Sequence, residues 1–311
     1  GWRIPFLLSS LLLAVSVYIR LQLAESPVFK QMKEEGKTSK APLTESFARW
    51  GNLKLVLLAL FGATAGQAVV WYCGQFYAMY FLGSTLRIDA TTTQLLIAAA
   101  LLIGTPFFVV FGWLSDKIGR KPVVLAGCLL AALTYFPIFK GITHYGNPAI
   151  EAASTSAPIT VIANPADCHL QINPTGTAVF TSSCDIAKST LAKRGVPYAN
   201  QEAAAGTLAS VTVGSHTIAA FDGKGLSKPD FAAQSKQFAA SLGSLLDEAG
   251  YPAKADPANS NYPMLVVLLT LLVLYVTMVY GPIAAWLVEM FPTNIRYTSM
   301  SLPYHIGNGW F

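Results

Sequence analysis

The chain has 311 residues, 53% of them hydrophobic and only 12% charged, with a formal net charge of +5. That composition excludes an ordinary soluble protein of this size, because the apolar residues come in long blocks instead of being spread along the chain. The basic excess forms no clustered face with base-reading elements, so it does not read as a nucleic-acid-binding surface.

In chain order, uncharged segments run from Ile4 to Ile19, Leu55 to Leu86, Ala90 to Ser115, Pro122 to Phe139 and Pro257 to Val288, with a last one from Tyr297 to Phe311. A helix needs about 20 apolar residues to cross the hydrocarbon core of a bilayer. The pattern predicts spans near 3–23, 55–82, 92–114, 122–140 and 263–289, and the start of another near 299. The chain opens on Gly1-Trp2 and stops at Phe311, each inside an apolar run, and no secretory signal precedes the first. The expectation is an internal piece of a longer protein, with helices missing on both sides.

Lys and Arg in short connections mark the cytoplasmic face. The stretch from Arg20 to Lys54 holds Lys30, Lys33, Lys37, Lys40 and Arg49 between them, the 116–121 loop holds Lys117, Arg120 and Lys121, and the 290–298 loop holds Arg296. These three connections alternate in step with the spans, so all are expected in the cytoplasm. The polar stretch 24–54 reads as a linker lying on the membrane surface, with one or two short helices.

Residues 141–262 do not read as membrane-embedded, and the alternation puts them on the extracytoplasmic side. They are expected to form a small α+β domain. Ile159–Ile162 is predicted as a strand, Val211–Val213 and Thr217–Ala219 as a hairpin about Gly214-Ser215-His216, and Asp230–Ala249 as a helix with Phe231, Phe238, Leu242, Leu245 and Leu246 on one face. Cys168 and Cys184 both fall here and would face an oxidising compartment, which favours a disulfide between them. Cys73 and Cys128 lie in spans and read as packing residues. The histidines of the insert have no metal-ligand spacing and no triad partner, so neither a metal site, a cofactor nor an enzyme centre is expected.

The densest signal is the charged turn between the spans 92–114 and 122–140. It reads Gly112-Trp113-Leu114-Ser115-Asp116-Lys117-Ile118-Gly119-Arg120-Lys121. This string resembles the cytoplasmic loop signature of the major facilitator superfamily at every fixed position. Tyr18-Ile19-Arg20-Leu21 through Phe29, Tyr280-Gly281-Pro282 through Phe291-Pro292-Thr293, and Tyr304-His305-Ile306-Gly307-Asn308-Gly309 are similar to its metabolite:proton symporter branch, which includes carriers of shikimate, 2-oxoglutarate, citrate and proline or betaine. The resemblance covers roughly 1–140 and 263–311. It implies a partial major facilitator fold: 1–23 as helix 6, 24–54 as the linker between the two six-helix halves, 55–140 as helices 7 to 9, and 263–311 as helix 10 and the start of helix 11. The insert at 141–262 departs from the short loop usual in the superfamily.

The resemblance implies a conformational gate. Asp116 at the inner end of a span needs a partner, supplied by Arg120 or by the positive N-terminal end of a neighbouring helix near Tyr297–Ser301. Gly112 would allow close helix approach, Gly119 would turn the chain, and Lys121 completes the motif. Glu289 and Arg296, about Pro292, read either as a second gate pair or as a solvated surface pair. Substrate-contact candidates are Gln67, Trp71, Tyr72 and Gln75 in helix 7, Tyr280 beside a Pro in helix 10, and Tyr304, His305 and Asn308 at the start of helix 11. The glutamines serve a cavity or bond a neighbouring helix with equal weight, and His305 serves proton coupling or structure. No Asp or Glu lies deep in a span, so a proton-coupling carboxylate is expected on the missing N-terminal helices.

These readings converge on an all-α polytopic membrane protein with a small extracytoplasmic α+β insert. It is expected to be a secondary active transporter of the bacterial inner membrane, moving a small organic acid or zwitterionic metabolite with protons by alternating access. The rivals are a facilitator or antiporter on the same fold, and a membrane-anchored receptor whose outer domain binds ligand.

Overall fold

The computed structural model describes residues 3–22, 27–171 and 179–310. The ends of the chain at Gly1-Trp2 and Phe311 and the Glu25-Ser26 part of the linker string lie outside these residues. The chain divides into two compact units, one of residues 1–65 and 285–311, the other of residues 66–284.

In the first unit, α1 (Arg3–Gln22) is an apolar helix whose described side chains are all exposed. The linker forms α2 (Pro27–Glu34) and α3 (Pro42–Phe47). The next helix, α4 (Trp50–Thr85), begins at Trp50, ahead of the expected 55, because Lys54 is accommodated within its first turns. Its start packs with α3 and with the last helix, α11 (Arg296–Trp310). Ser299 Oγ donates to Ser46 Oγ at 2.8 Å, and both residues are fully buried. Further along, Thr64 Oγ1 lies 3.0 Å from Pro303 O, and Gly307 sits so close that an added Cβ would stand 2.6 Å from Thr64 Cβ. Only glycine fits that crossing.

The second unit carries the remainder of α4, then α5 (Ala90–Ile118), α6 (Arg120–Gly146) and most of α10 (Tyr262–Met290). Among the described residues, α4, α5, α6 and α10 are long and apolar enough to cross a membrane. α5 is interrupted at Thr105-Pro106, where proline removes a helical donor. α6 runs to Gly146, past the expected 140, and carries Lys140 and His144 in its final turns. α4 is unusual in its winding: Leu60–Thr64, Tyr72–Tyr77 and Phe81–Thr85 are π-helical stretches, each slightly wider than the α turns between them.

Helix packing here follows the membrane rule that small residues let backbones approach, since lipid tails provide no hydrophobic drive between helices. α10 is the common surface. An added Cβ at Gly74 of α4 would meet Val276 Cγ2 at 2.8 Å. One at Gly104 of α5 would meet Val273 Cγ1 at 2.3 Å, and one at Gly127 of α6 would meet Val279 Cγ1 at 2.8 Å.

Between α6 and α10 the chain forms a compact α+β module. α7 (Pro148–Ser156) leads into a sheet of four strands in the order β2–β1–β3–β4, where β1 is Ile159–Ala163, β2 Ala199–Glu202, β3 Ser210–Val213 and β4 His216–Ala219. β3 and β4 are the expected hairpin, and β1 is the expected strand. The parallel β1–β2 pair, joined through α8 (Ser183–Lys193), has no counterpart among the predicted elements. α9 (Lys228–Glu248) buries Phe238, Leu242 and Leu246 against a core that includes Val161, Val211, Val213, Ile186, Leu191 and Tyr251.

The module is docked on the ends of the helices. Asn261 N–H donates to Tyr145 O at 2.7 Å and Asn147 Nδ2 to Leu86 O at 2.9 Å. Arg87, in the turn between α4 and α5 with φ +59°, donates from its guanidinium to Pro252 O and to Arg194 O. Gly195, with φ +64°, lies against the backbone of Ser84. Desolvation, and then the neighbouring Arg194 charge, hold the Arg87 guanidinium below its ordinary pKa.

Candidate functional site

The charged turn is built by one glycine. Gly119 ends α5 and opens α6 with φ +95°, a conformation that side chains rarely adopt. That reversal sets Arg120 four residues after Asp116 on the inner rim of the turn, where Arg120 Nη2 lies 2.7 Å from Asp116 Oδ1. Arg120 Nη1 also donates to Ser115 O at 3.4 Å. Lys117 Nζ stands 4.1 Å from the centre of the Trp113 ring, which covers one charge with an aromatic face. The Asp116 side chain is 67% exposed and that of Arg120 only 23%, so the pair is anchored by arginine and open at the carboxylate. Lys121 is exposed.

A Cβ placed at Gly112 would meet nothing within 4 Å, while one added at Gly281 of α10 would lie 3.5 Å from Phe108 O and 3.8 Å from Gly112 N, in ordinary van der Waals contact.

Gln67 of α4 is fully buried, Gln75 is half-buried and Tyr72 exposed. The structure brings Trp71 and Tyr280 together, with ring centres 4.6 Å apart, and adds Phe108 edge-on to Tyr280 at 6.5 Å. Trp71 and Tyr280 come from different candidate groups, while Phe108 sits inside an unbroken apolar run that gives it no local signal. A polar set in runs of the same kind also lacks a signal of its own: Tyr135 Oη donates to Val70 O at 3.2 Å, and Thr134 Oγ1 lies 3.0 Å from Tyr275 Oη, tying α6 to α4 and α10. Isolated Thr and Tyr in an apolar run give no warning that they meet.

In the first unit, Asn308 Nδ2 donates to Tyr304 O at 2.9 Å, within its own helix, and the His305 ring stands edge-on to Tyr304. His305 is exposed. Arg296, the first residue of α11, donates from Nε to Phe291 O at 3.1 Å, closing the turn that follows α10. Glu289 is the penultimate residue of α10.

In the module, Cys168 and Cys184 are joined as a disulfide. Beside it, Asp185 is buried and accepts from His169 N–H at 2.8 Å and from the His169 ring at 2.7 Å. Burial pushes this carboxyl up, but the His169 backbone and ring and the Ser182 hydroxyl outweigh it and hold its pKa below the usual carboxylate value.

Comparison with known proteins matches residues 1–150 to the Major Facilitator Superfamily. The chain is 35% identical over 141 residues to a putative proline/betaine transporter of Staphylococcus aureus (strain COL), covering 44% of this chain and 29% of that protein. It is 30% identical over 150 residues to the alpha-ketoglutarate permease of Escherichia coli (strain K12), covering 48% and 33%. A putative metabolite transport protein of Haemophilus influenzae is 36% identical over 134 residues, covering 39% and 30%. The chain thus spans about a third of the length of these curated relatives. No solved structure matches it. The matched segment, just under half of the chain, holds α1, the linker, α4 to α6 and the whole charged turn; over it the chain is similar to the Major Facilitator Superfamily, and its spanning-length apolar helices are those of a multi-pass membrane protein.

Proposed function

We propose that the chain is part of a secondary active transporter that carries a small organic acid or zwitterion across the inner membrane of a bacterium together with protons. The observation that carries this reading is the Gly119 turn with its Asp116–Arg120 pair, set between two spanning helices in the segment shared with metabolite carriers. In this reading the 20–54, 116–121 and 290–298 connections face the cytoplasm and the α+β module faces outward. The Asp116–Arg120 pair, with Gly119 and Lys121, forms in one conformation of the carrier and loosens in the other. Glu289 and Arg296 take a second, weaker part at the same face.

Trp71 and Tyr280 line the substrate path, and Gln67, fully buried one turn earlier on α4, packs behind it. An aromatic pair suits the cationic end of a zwitterion or an apolar substrate body. The N-terminal helices of the parent protein complete the cavity and supply the carboxylate that carries the proton.

The test is uptake by the full-length protein in proteoliposomes, using labelled proline, betaine and 2-oxoglutarate under an imposed proton gradient. Accumulation of one of them, abolished by a protonophore, is the expected result. Equilibration that ignores the protonophore makes the protein a facilitator, and no uptake from a broader panel of carboxylates and zwitterions ends the transport reading.

A further inference from the structure

The disulfide of the α+β module runs beside a set of hydrogen bonds that tie the same two segments. It joins the loop after β1 to the first turn of α8. Four hydrogen bonds already make the same connection. His169 N–H and its ring reach the Asp185 carboxylate at 2.8 and 2.7 Å, Gln171 Nε2 donates to Asp185 O at 2.8 Å, and Ser182 Oγ donates to Asp167 O at 2.6 Å. Cys168 lies among residues 167, 169 and 171, and Cys184 lies between Ser182 and Asp185. These ties involve neither sulfur, so opening the covalent bond removes none of them.

The two sulfurs are also unlike. Cys184 is fully buried, whereas Cys168 is partly exposed. Cys184 is the second residue of α8, just after its cap Ser182. A thiolate formed there lies at the positive end of the helix, which lowers the cost of its charge, and next to the Asp185 carboxylate, which raises it. Attack of a thiolate on a disulfide is governed by access to the attacked sulfur and by the stability of the departing one. Access favours one direction, with entry at Cys168 and departure at Cys184.

We propose that Cys168–Cys184 is a reversible dithiol–disulfide couple that exchanges with small thiols at Cys168. A thiolate attacks Cys168 Sγ and forms a mixed disulfide with it. The Sγ–Sγ bond breaks, and Cys184 leaves with the electron pair as a thiolate. A second small thiolate attacks the sulfur of the first, releasing Cys168 as a thiolate and a small-molecule disulfide. Two small thiols are oxidised and two cysteines reduced, and the protons lost by the first pair are taken up by the second. An oxidised small disulfide drives the same steps backwards. The inference stands apart from the transport reading and holds whichever side of the membrane the module faces.

The full-length wild-type protein in detergent is treated with glutathione at neutral pH, quenched by alkylation and mapped by peptide mass spectrometry, which separates Cys73 and Cys128 from the pair. The glutathione adduct is expected on Cys168 in at least about tenfold excess over Cys184, since access selects the attacked sulfur. The reduced module is expected to keep its protease resistance and to re-form the bond with oxidised glutathione. An adduct mainly on Cys184, reduction that appears only once denaturant is added, or a reduced module that is digested, would each overturn the proposal. The wild-type chain is used throughout, so no variant has to fold.

Discussion

Replacing Gly104 with alanine tests the packing of α5 on α10 most sharply. The new Cβ would stand 2.3 Å from Val273 Cγ1 and 3.0 Å from Val273 Cβ, where a carbon contact needs about 3.5 Å. Val273 is buried and β-branched, so in a helix it has one strongly preferred rotamer and cannot swing aside. The helices must part by about 1 Å, and overpacking of this kind costs about 1–3 kcal/mol. Val273→Ala alone leaves a small void and costs about 1 kcal/mol. In the double variant the 2.3 Å clash disappears and only the 3.0 Å approach to Cβ remains, which a shift of a few tenths of an ångström relieves. The two changes are therefore expected to offset each other by about 1 kcal/mol or more, read as the coupling energy of a double-mutant cycle. Denaturant titration of the detergent-solubilised protein, followed by tryptophan fluorescence, supplies the four stabilities. Additivity within about 0.5 kcal/mol would refute a direct Gly104–Val273 contact.

Two further outcomes follow from the charged groups. Asp116→Asn removes an ion pair whose carboxylate is two-thirds exposed, so stability should change by less than about 1 kcal/mol, while uptake by the full-length carrier should fall at least about fivefold. Unchanged uptake would end the gate assignment. Asp185 has a folded pKa below its ordinary 3.8, so its contribution to stability is present above that value and is lost as pH falls through the lowered one. Wild type and Asp185→Asn should therefore differ in module melting at neutral pH and converge as pH falls through the lowered pKa; a constant gap across the range would show that the ionised carboxylate is not the source.

Much of the membrane part is legible in the sequence because water exclusion is a long-range, averaged property. Charge-free runs locate α4, α5, α6 and α10 to within a few residues, and Gly119 with its neighbours announces the turn between α5 and α6. What is hidden is pairwise. The contact of Trp71 with Tyr280 joins residues more than 200 positions apart, and nothing local to either names the other. Phe108 and Tyr135 are invisible for the same reason, since aromatics in an apolar run are the background from which they would have to stand out. The π stretches of α4 are set by tertiary fit and leave no periodic trace. In the module, β1, β3, β4 and α9 show alternation or a helical stripe. β2 is short, polar and exposed at a sheet edge, so it carries no hydrophobic signature at all. α8 has a weak stripe interrupted by Asp185, a residue explained only by the His169 and Gln171 contacts from the loop before it.

Ser260 Oγ reaches Gly146 O at 2.8 Å, and Asn261 N–H meets Tyr145 O alongside it. The entire module therefore departs from and returns to a single doorway. Such a body can be gained or discarded in one genetic step, because the rods on either side of the opening need only a few residues to span it. The Arg87 clamp and the Gly195 seat are then what keeps such a passenger from swivelling on its doorway.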